Sequence, residues 1–249
     1  MVEHKPNGPI DWLNFAFSRV TMWGAAFIVA IMFYEVVMRY LFFKPTLWVN
    51  EMSLWVGGVI YVTAGLYAMQ QRSHIRIYVL YDLAPLWMRH LFDLISALCI
   101  AIFAFAVIWG GYGEAVAKFG RWEAFGTAWD PPIPATNKIL ILITVFVLML
   151  QGFSNLLRDW PAAAWVRKTF DVIAGATVIG LCLWALPVLF SGAEDNAVPM
   201  HWRISIAILL LVAIACCIWG LWRDFNTTPE PVRESHDPTE DMIEDIRVD

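Results

Sequence analysis

Charged side chains are scarce in this sequence, and their scarcity excludes most soluble folds. Asp, Glu, Lys and Arg together make up 16% of the 249 residues, whereas hydrophobic residues make up 59%. A typical soluble domain is charged at roughly one residue in four. The sequence also lacks a basic stripe that could neutralise phosphates, which excludes a nucleic-acid partner. The composition therefore indicates a protein that lies within a lipid bilayer.

Side chains that bind metals and cofactors are also few. The four cysteines lie in apolar runs without metal-type spacing, which predicts small buried hydrophobic residues rather than disulfides or metal ligands. The five histidines lie outside the centres of the apolar segments, where an axial haem ligand would have to lie. No catalytic triad, zinc motif or phosphate-binding glycine loop is present. We therefore expect no catalytic residue, no metal and no cofactor.

Six apolar runs are long enough to cross a membrane. About 20 helical residues span the hydrocarbon core, and backbone groups in lipid must find their hydrogen bonds within the helix. The pattern predicts an all-α integral membrane protein with about six transmembrane helices. These segments lie near Val20–Tyr40, Trp48–Met69, Trp87–Tyr112, Thr136–Leu157, Phe170–Phe190 and Ile204–Trp222. The first run follows Asp11 and lacks a cleavage site, so we expect it to be kept rather than removed as a signal peptide.

The ends of the chain are predicted to be cytoplasmic. With a cytoplasmic N-terminus, eleven of the 17 Lys and Arg residues fall on the inner side, which the positive-inside rule favours. Residues Arg223–Asp249 form an acidic, proline-containing tail with few large apolar residues, and we expect this tail to be disordered. The stretch Ile75–Arg89 mixes apolar and charged residues, which predicts a segment lying flat on the membrane surface.

Glu35 and Arg39 are charged residues four positions apart near the end of the first segment. On a helix they share one face, and charges at membrane depth are costly unless they pair or face other protein. One interpretation is a buried ion pair that positions a neighbouring helix or subunit. The other is a pair that reaches to the bilayer boundary.

The second segment opens with Asn50 and Glu51. A carboxylate in the first turn is favoured by the helix dipole, and Glu51 could also contact Arg39 across the short connection. Small residues then follow at helical spacing, which indicates a close helix–helix contact in this chain or with another one. This stripe comprises Ser53, Gly57, Ala64 and Ala68.

Each of two polar connections has two interpretations, one as a membrane anchor and one as a contact for another protein. Gln70–Arg76 is either a positively charged membrane anchor or a docking loop on the cytoplasmic side. Gly120–Pro134 contains Trp122, Phe125 and Trp129, which either lie at the bilayer interface or contact a soluble protein outside.

Segments one to three contain an arginine after the first helix, a Pro–Trp–acid start to the second, and then a basic H-I-R run. In this order they resemble the small membrane subunit, of the DctQ type, of tripartite ATP-independent periplasmic (TRAP) transporters. The resemblance begins with EVVMRYLFFKPTLWVNEMSLWVGGVIYVTAGLYAMQQRSHIRI and resumes at IPATNKILILITVFVLMLQGF, covering roughly Phe15–Leu157. The matching positions are Arg39, Pro45, Trp48, Glu51, His74, Ile75 and Arg76. Asn50 replaces one residue of the usual acidic pair, and Tyr78 replaces an expected aspartate, with Asp82 displaced downstream.

The resemblance implies a four-helix membrane domain over residues 1–160. Residues 161–222 would then add two extra helices, and 223–249 the cytoplasmic tail. It also implies a non-catalytic scaffold in the bacterial inner membrane, bound to a large permease subunit and supplied by a periplasmic solute-binding protein. The complex would import small organic acids with sodium. The alternative is a membrane anchor for a redox or other enzyme complex.

Residue roles follow from the resemblance as well. It assigns subunit packing to Glu35, Arg39 and Glu51, to which the polar start and the small residues of the second segment, Asn50, Ser53 and Gly57, are added. It assigns the cytoplasmic edge to Arg72, His74 and Arg76. The remaining partner would be membrane lipid.

Overall fold

The computed structural model describes residues 8–71, 85–159, 164–191 and 198–226. Within these ranges the chain consists of six long α-helices and their connections, without a strand. All six helices are long and apolar enough to cross a membrane, which confirms the predicted fold class. The helices are α1 (Pro9–Tyr40), α2 (Val49–Gln70), α3 (Leu86–Gly120), α4 (Ile133–Asp159), α5 (Ala164–Ser191) and α6 (Met200–Asn226).

Several helices are longer than their apolar segments. The largest difference is in α1, which begins at Pro9 rather than near Val20. Pro9 suits the first helical position because its missing N–H has no partner there in any case. Because Asp11 and Asn14 are polar, this turn was predicted to lie outside the membrane-spanning segment. Both side chains are in fact buried against other helices. The helix therefore continues beyond its lipid-facing part because tertiary contacts stabilise it.

The last helix and two of the cysteines also differ from expectation. Helix α6 continues to Asn226, so the first residues of the predicted tail are helical, and residues 227–249 lie outside the described part. Cys182 and Cys217 are buried as expected, whereas Cys216 is only partly buried and Cys99 is exposed on α3. In a membrane protein an apolar residue can be satisfied by lipid as well as by a core, which explains the exposure of Cys99.

The packing order differs from the order along the chain. Helix α1 contacts α2 and α6, α6 contacts α5, and α2 contacts α4. Helix α3 packs on α4, while α5 also contacts α1 and α4. Large apolar side chains point outwards along most of α3 and α6, as expected for surfaces covered by lipid or by a partner. The last two helices are therefore part of one bundle with the first four.

The buried residues of the described ranges include many polar groups as well as apolar ones. One apolar cluster joins Ile10, Leu66, Val147 and Ala174, from four different helices. A second joins Val178 and Cys182 of α5 with Cys217 of α6. The predicted surface segment Ile75–Arg89 falls largely on residues 72–84, outside the described part. Pro85 lies just before α3 in extended conformation, where the bend was expected.

Candidate functional site

Polar side chains cluster at both ends of the bundle. We call the end where α1 begins and α6 finishes the terminal end. The end where α1 finishes and α6 begins, which includes the connection 121–132, is the loop end. Because the helices alternate in direction, each helix has one terminus at the terminal end of the bundle and the other at the loop end.

Glu35 forms a tie at the loop end. Arg39 donates to Glu35 Oε1 from Nε at 3.1 Å and from Nη2 at 2.6 Å. The other oxygen, Oε2, accepts hydrogen bonds from the Thr46 backbone N–H at 3.0 Å and from the Thr46 hydroxyl. Glu35 is 4% exposed, although Arg39 reaches solvent or headgroups. The carboxylate thus fixes the connection between α1 and α2 as well as pairing with Arg39.

Asn50 and Glu51 do not join this tie. Asn50 is exposed at the start of α2. Glu51 lies in the first turn, where the helix dipole favours it, but the described residues contain no ion pair between Glu51 and Arg39. Glu51 Oε2 is buried and has no hydrogen-bond partner in the described part of the chain.

Two members of the small-residue stripe on α2, Gly57 and Ala64, are not covered by the neighbouring helices of this chain. A Cβ added at Gly57 would meet nothing within 4 Å, and Ala64 is exposed. Ser53 donates to the Asn50 carbonyl of its own helix at 2.7 Å. The close approach inside the bundle occurs instead at Gly58, where an added Cβ would lie 2.6 Å from Asn137 Nδ2.

Aromatic rings fill the loop end between α2, α6 and the α3–α4 connection. The Trp55 ring lies 5.3 Å from Trp202 of α6 and 6.5 Å from Trp129, and Trp122 lies 5.7 Å from Trp202. Trp55 Nε1 donates to Thr136 Oγ1 at 2.9 Å. Such ring pairs stabilise a contact beyond their buried area. They connect the start of α6 to the first four helices.

The connection 121–132 is held by its own polar contacts. Glu123 accepts from Lys118 at 2.7 Å, and this hydrogen bond lowers the pKa of the Glu123 carboxyl below its ordinary value. The Gly126 N–H donates to Asp130 Oδ1 at 2.7 Å, with Gly126 in the left-handed region at φ 81°. The connection is therefore a defined surface at the loop end.

The terminal end contains a buried network centred on Gln151 of α4, which is fully buried. Gln151 Nε2 donates to Asp11 Oδ1 at 2.5 Å and to Asn155 Oδ1 at 3.0 Å, while Gln151 Oε1 accepts from Asn14 Nδ2 at 2.9 Å. Asn155 then donates to the Met69 carbonyl of α2 at 2.9 Å. One α4 side chain thereby connects α1 and, through Asn155, α2.

Arg158 extends this network to α5. Its Nη1 lies 2.6 Å from Asp11 Oδ2, and its Nη2 lies 3.6 Å from Asp171 Oδ2. The Asp11 and Asp171 side chains are 2% and 8% exposed, so both charges are largely removed from water. Ser154 Oγ lies 3.5 Å from Asp171 Oδ1. A guanidinium is suited to this position because its nitrogens can bind two carboxylates at once.

Sequence reasoning missed the terminal network although a signal was present. On α1, Asp11, Asn14 and Ser18 recur at three- and four-residue spacing, which places them on one helical face. On α4 the same holds for Gln151, Asn155 and Arg158. The predicted cytoplasmic edge residues Arg72, His74 and Arg76 lie outside the described part of the chain.

More than half of the chain matches a known protein family. The family model DctQ, described as "Tripartite ATP-independent periplasmic transporters, DctQ component", matches residues 28–162. The chain belongs to the DctQ family. It is therefore a transporter component and, with its six spanning helices, a multi-pass membrane protein. No curated protein and no solved structure matches it.

The DctQ match includes some residues of the two polar clusters and leaves others outside. The loop-end residues Glu35, Arg39 and Thr46 lie within the matched range, as do Gln151 and Arg158. Asp11 and Asp171, the two carboxylates that Arg158 binds, lie on either side of it. The DctQ match ends before α5, so the α5–α6 hairpin is an addition to the matched part of the chain.

Proposed function

We propose that this chain is the non-catalytic small permease subunit of a sodium-driven TRAP importer for small organic acids. In this role it acts as a scaffold for the large permease subunit in the bacterial inner membrane. The observation that carries the proposal is the DctQ match over residues 28–162, which coincides with the second half of α1 and with α2, α3 and α4. A periplasmic solute-binding protein would deliver the substrate, and both termini would be cytoplasmic.

The arrangement of polar groups supports a scaffold. Asp11 binds both Gln151 and Arg158 and so ties α1 to α4, and Glu35 ties α1 to the following connection. Paired in this way, these groups stabilise the position of the helices in lipid, where an unpaired charge is costly. A rigid bundle of this kind suits a subunit that remains stationary while its partner moves substrate.

The outward face of α2 is a candidate contact for the large subunit. Gly57 and Ala64 leave room for the backbone of another helix to approach, which is how helices associate in lipid. At the start of α2, Asn50 is exposed and Glu51 has an oxygen without a hydrogen-bond partner in the described part of the chain. We extend the subunit-packing proposal to these residues together with Ser53, Glu35 and Arg39. Arg72, His74 and Arg76 remain proposed for the cytoplasmic edge from the sequence.

Replacing Arg39 tests the packing proposal. Arg39→Leu leaves the buried Glu35 carboxylate without its cation, so the end of α1 should lose its fixed position. We expect co-purification of a large, multi-span permease in mild detergent to fall severalfold, with solute uptake falling in parallel. The matched control is Arg121→Leu, which removes an exposed arginine whose partner is 3.5 Å away.

Three outcomes would contradict the proposal or part of it. Normal complex yield and uptake in Arg39→Leu would remove the packing role of the Glu35–Arg39 pair. Failure of any large permease to co-purify with the unaltered chain would remove the subunit assignment itself. A haem Soret band in the purified protein would favour the redox-anchor alternative.

A further inference from the structure

The two parts of the chain outside the DctQ match lie against each other. Gly8 and Pro9, at the start of α1, are wedged beside the α5–α6 hairpin. A Cβ added at Gly220 of α6 would lie 2.5 Å from Pro9 Cα, and one added at Gly175 of α5 would lie 3.3 Å from Pro9 Cγ. Both helices are thus held close to the N-terminal turn by glycines that leave room for it.

Charge reinforces this contact from within the matched region. A Cβ added at Gly8 would lie 2.4 Å from Arg158 Nη2 and 3.6 Å from Asp171 Cγ. Arg158 therefore lies directly against Gly8, with one nitrogen on Asp11 and the other facing Asp171. Two carboxylates from two helices converge on one cation that belongs to a third.

We propose that Arg158 is the positioning residue that couples the C-terminal hairpin to the DctQ bundle, by holding Asp11 of α1 and Asp171 of α5 against α4. The start of α1 and the hairpin then form one clamp with Arg158 as its shared contact. This assigns a role to the two added helices: they fix the N-terminal end of α1, and α1 in turn carries Glu35 and Arg39 at its other end. The clamp concerns this chain alone and does not depend on the proposed function.

The neighbouring charges are consistent with a coupling centred on Arg158. Asp224 of α6 lies near enough to interact with Arg158, Lys168 and Arg167, so α6 contributes a third carboxylate to the same region. Arg223 of α6 lies over the Trp12 ring at 5.1 Å. The hairpin therefore faces α1 and α4 with charges of both signs, whereas Arg158 is the cation that α4 supplies.

The geometry requires a fork rather than a point charge. Nη1 and Nη2 of Arg158 serve different carboxylates, at 2.6 Å and 3.6 Å. A lysine ammonium is a single compact centre, so Arg158→Lys would keep the charge and hold only one of the two partners well. The clamp should accordingly be sensitive to the shape of residue 158 as well as to its charge.

The experiment measures stability and helix position separately on the full chain in detergent. Stability is the thermal unfolding midpoint. Position is the spin-label distance between Val20→Cys on α1 and Thr169→Cys on α5, both exposed, in a variant whose four native cysteines are replaced by alanine. The unfolding midpoint of that background is first compared with that of the unaltered chain.

Arg158→Met should lower the midpoint by about 10 °C, because two buried carboxylates lose their cation. The distance distribution should broaden. Combining Arg158→Met with Asp11→Asn and Asp171→Asn should restore most of the midpoint, because the two carboxylates that Arg158 binds are then neutral amides and Asp224 keeps Lys168 and Arg167 nearby. The distance distribution should stay broad. Arg158→Lys should be intermediate in both measurements, and Arg121→Met should change neither.

If the triple variant regains the unfolding midpoint but keeps a broad distance distribution, Arg158 positions the hairpin and does not only stabilise the fold. If Arg158→Met does not fold, the triple variant still decides the matter through its distance distribution. A narrow, unchanged distance in either variant overturns the proposal. So does an Arg158→Met midpoint equal to that of Arg121→Met.

Discussion

The two ends of the bundle use polar side chains for different purposes. At the loop end, Glu35 binds residues four and eleven positions further along the chain. At the terminal end, Asp11 binds Gln151 and Arg158, which are 140 and 147 positions away. The first arrangement fixes a turn between consecutive helices. The second decides which helices are neighbours, so the terminal end should contribute more to the stability of the whole bundle.

The largest effect is expected at the centre of the terminal network. Gln151→Leu removes three hydrogen bonds from a buried site, one each with Asp11, Asn14 and Asn155. The bonds to Asp11 and Asn14 run between α4 and α1. Hydrogen bonds between helices in membranes contribute about 0.6 to 1.7 kcal/mol each, so the loss should be about 1 to 3 kcal/mol. Denaturant unfolding in detergent measures it.

Ser53→Ala serves as the matched control, because the Ser53 hydroxyl bonds only within its own helix. Its unfolding free energy should change by less than about 0.5 kcal/mol. Equal stability of Gln151→Leu and Ser53→Ala would show that the terminal end has no greater weight than the helix surface.

A smaller effect is expected where α6 approaches Pro9. Gly220→Ala places a methyl group 2.5 Å from a backbone atom, so α1 or α6 must move. Overpacking of this kind costs about 1 to 3 kcal/mol, partly offset by the better helix propensity of alanine. Gly180→Ala on α5 has nothing within 4 Å of the new atom and should be neutral or slightly stabilising.

Thermal unfolding of these two glycine variants sharpens the comparison between contacts and propensity. If both behave alike, the close approach of Pro9 to α6 does not constrain the bundle. If only Gly220→Ala is destabilised, the close approach of Pro9 to α6 does constrain the packing of the bundle.

The smallest effect is expected at the loop end, at Glu123. Its pKa is lowered below the ordinary value of 4.5, chiefly by the hydrogen bond from Lys118. A carboxyl with a lowered folded-state pKa stabilises the fold above its unfolded pKa, and this contribution disappears as the pH falls through the folded-state pKa. The midpoint difference between the unaltered chain and Glu123→Gln should therefore be present at neutral pH and vanish in acid. A difference that is independent of pH would refute this.

The sequence was sufficient to predict the number of spanning helices and the pairing of Glu35 with Arg39. Both depend on local spacing: apolar runs of lipid length, and two charges four positions apart. The partner of the second Glu35 oxygen, Thr46, was not predicted, because it depends on how the chain turns after α1.

The terminal network was not predicted for a physical reason. Asp11 and Asn14 lower the hydropathy of the first turns of α1, so a search for lipid-length apolar runs begins the helix near Val20. Their burial is compensated by Gln151 and Arg158, and no spacing in the sequence brings residues so far apart together. The polar stripes on α1 and α4 were visible separately, but only the tertiary structure reveals that they face each other.

The indole cluster at the loop end has an optical consequence. Trp55, Trp122 and Trp202 lie close enough for their electronic transitions to mix, and they come from α2, the α3–α4 connection and α6. Their near-ultraviolet circular dichroism therefore depends on the mutual orientation of three separate pieces of chain. The molecule carries an intrinsic spectroscopic reporter for the seating of its last helix, and no attached dye is needed to read it.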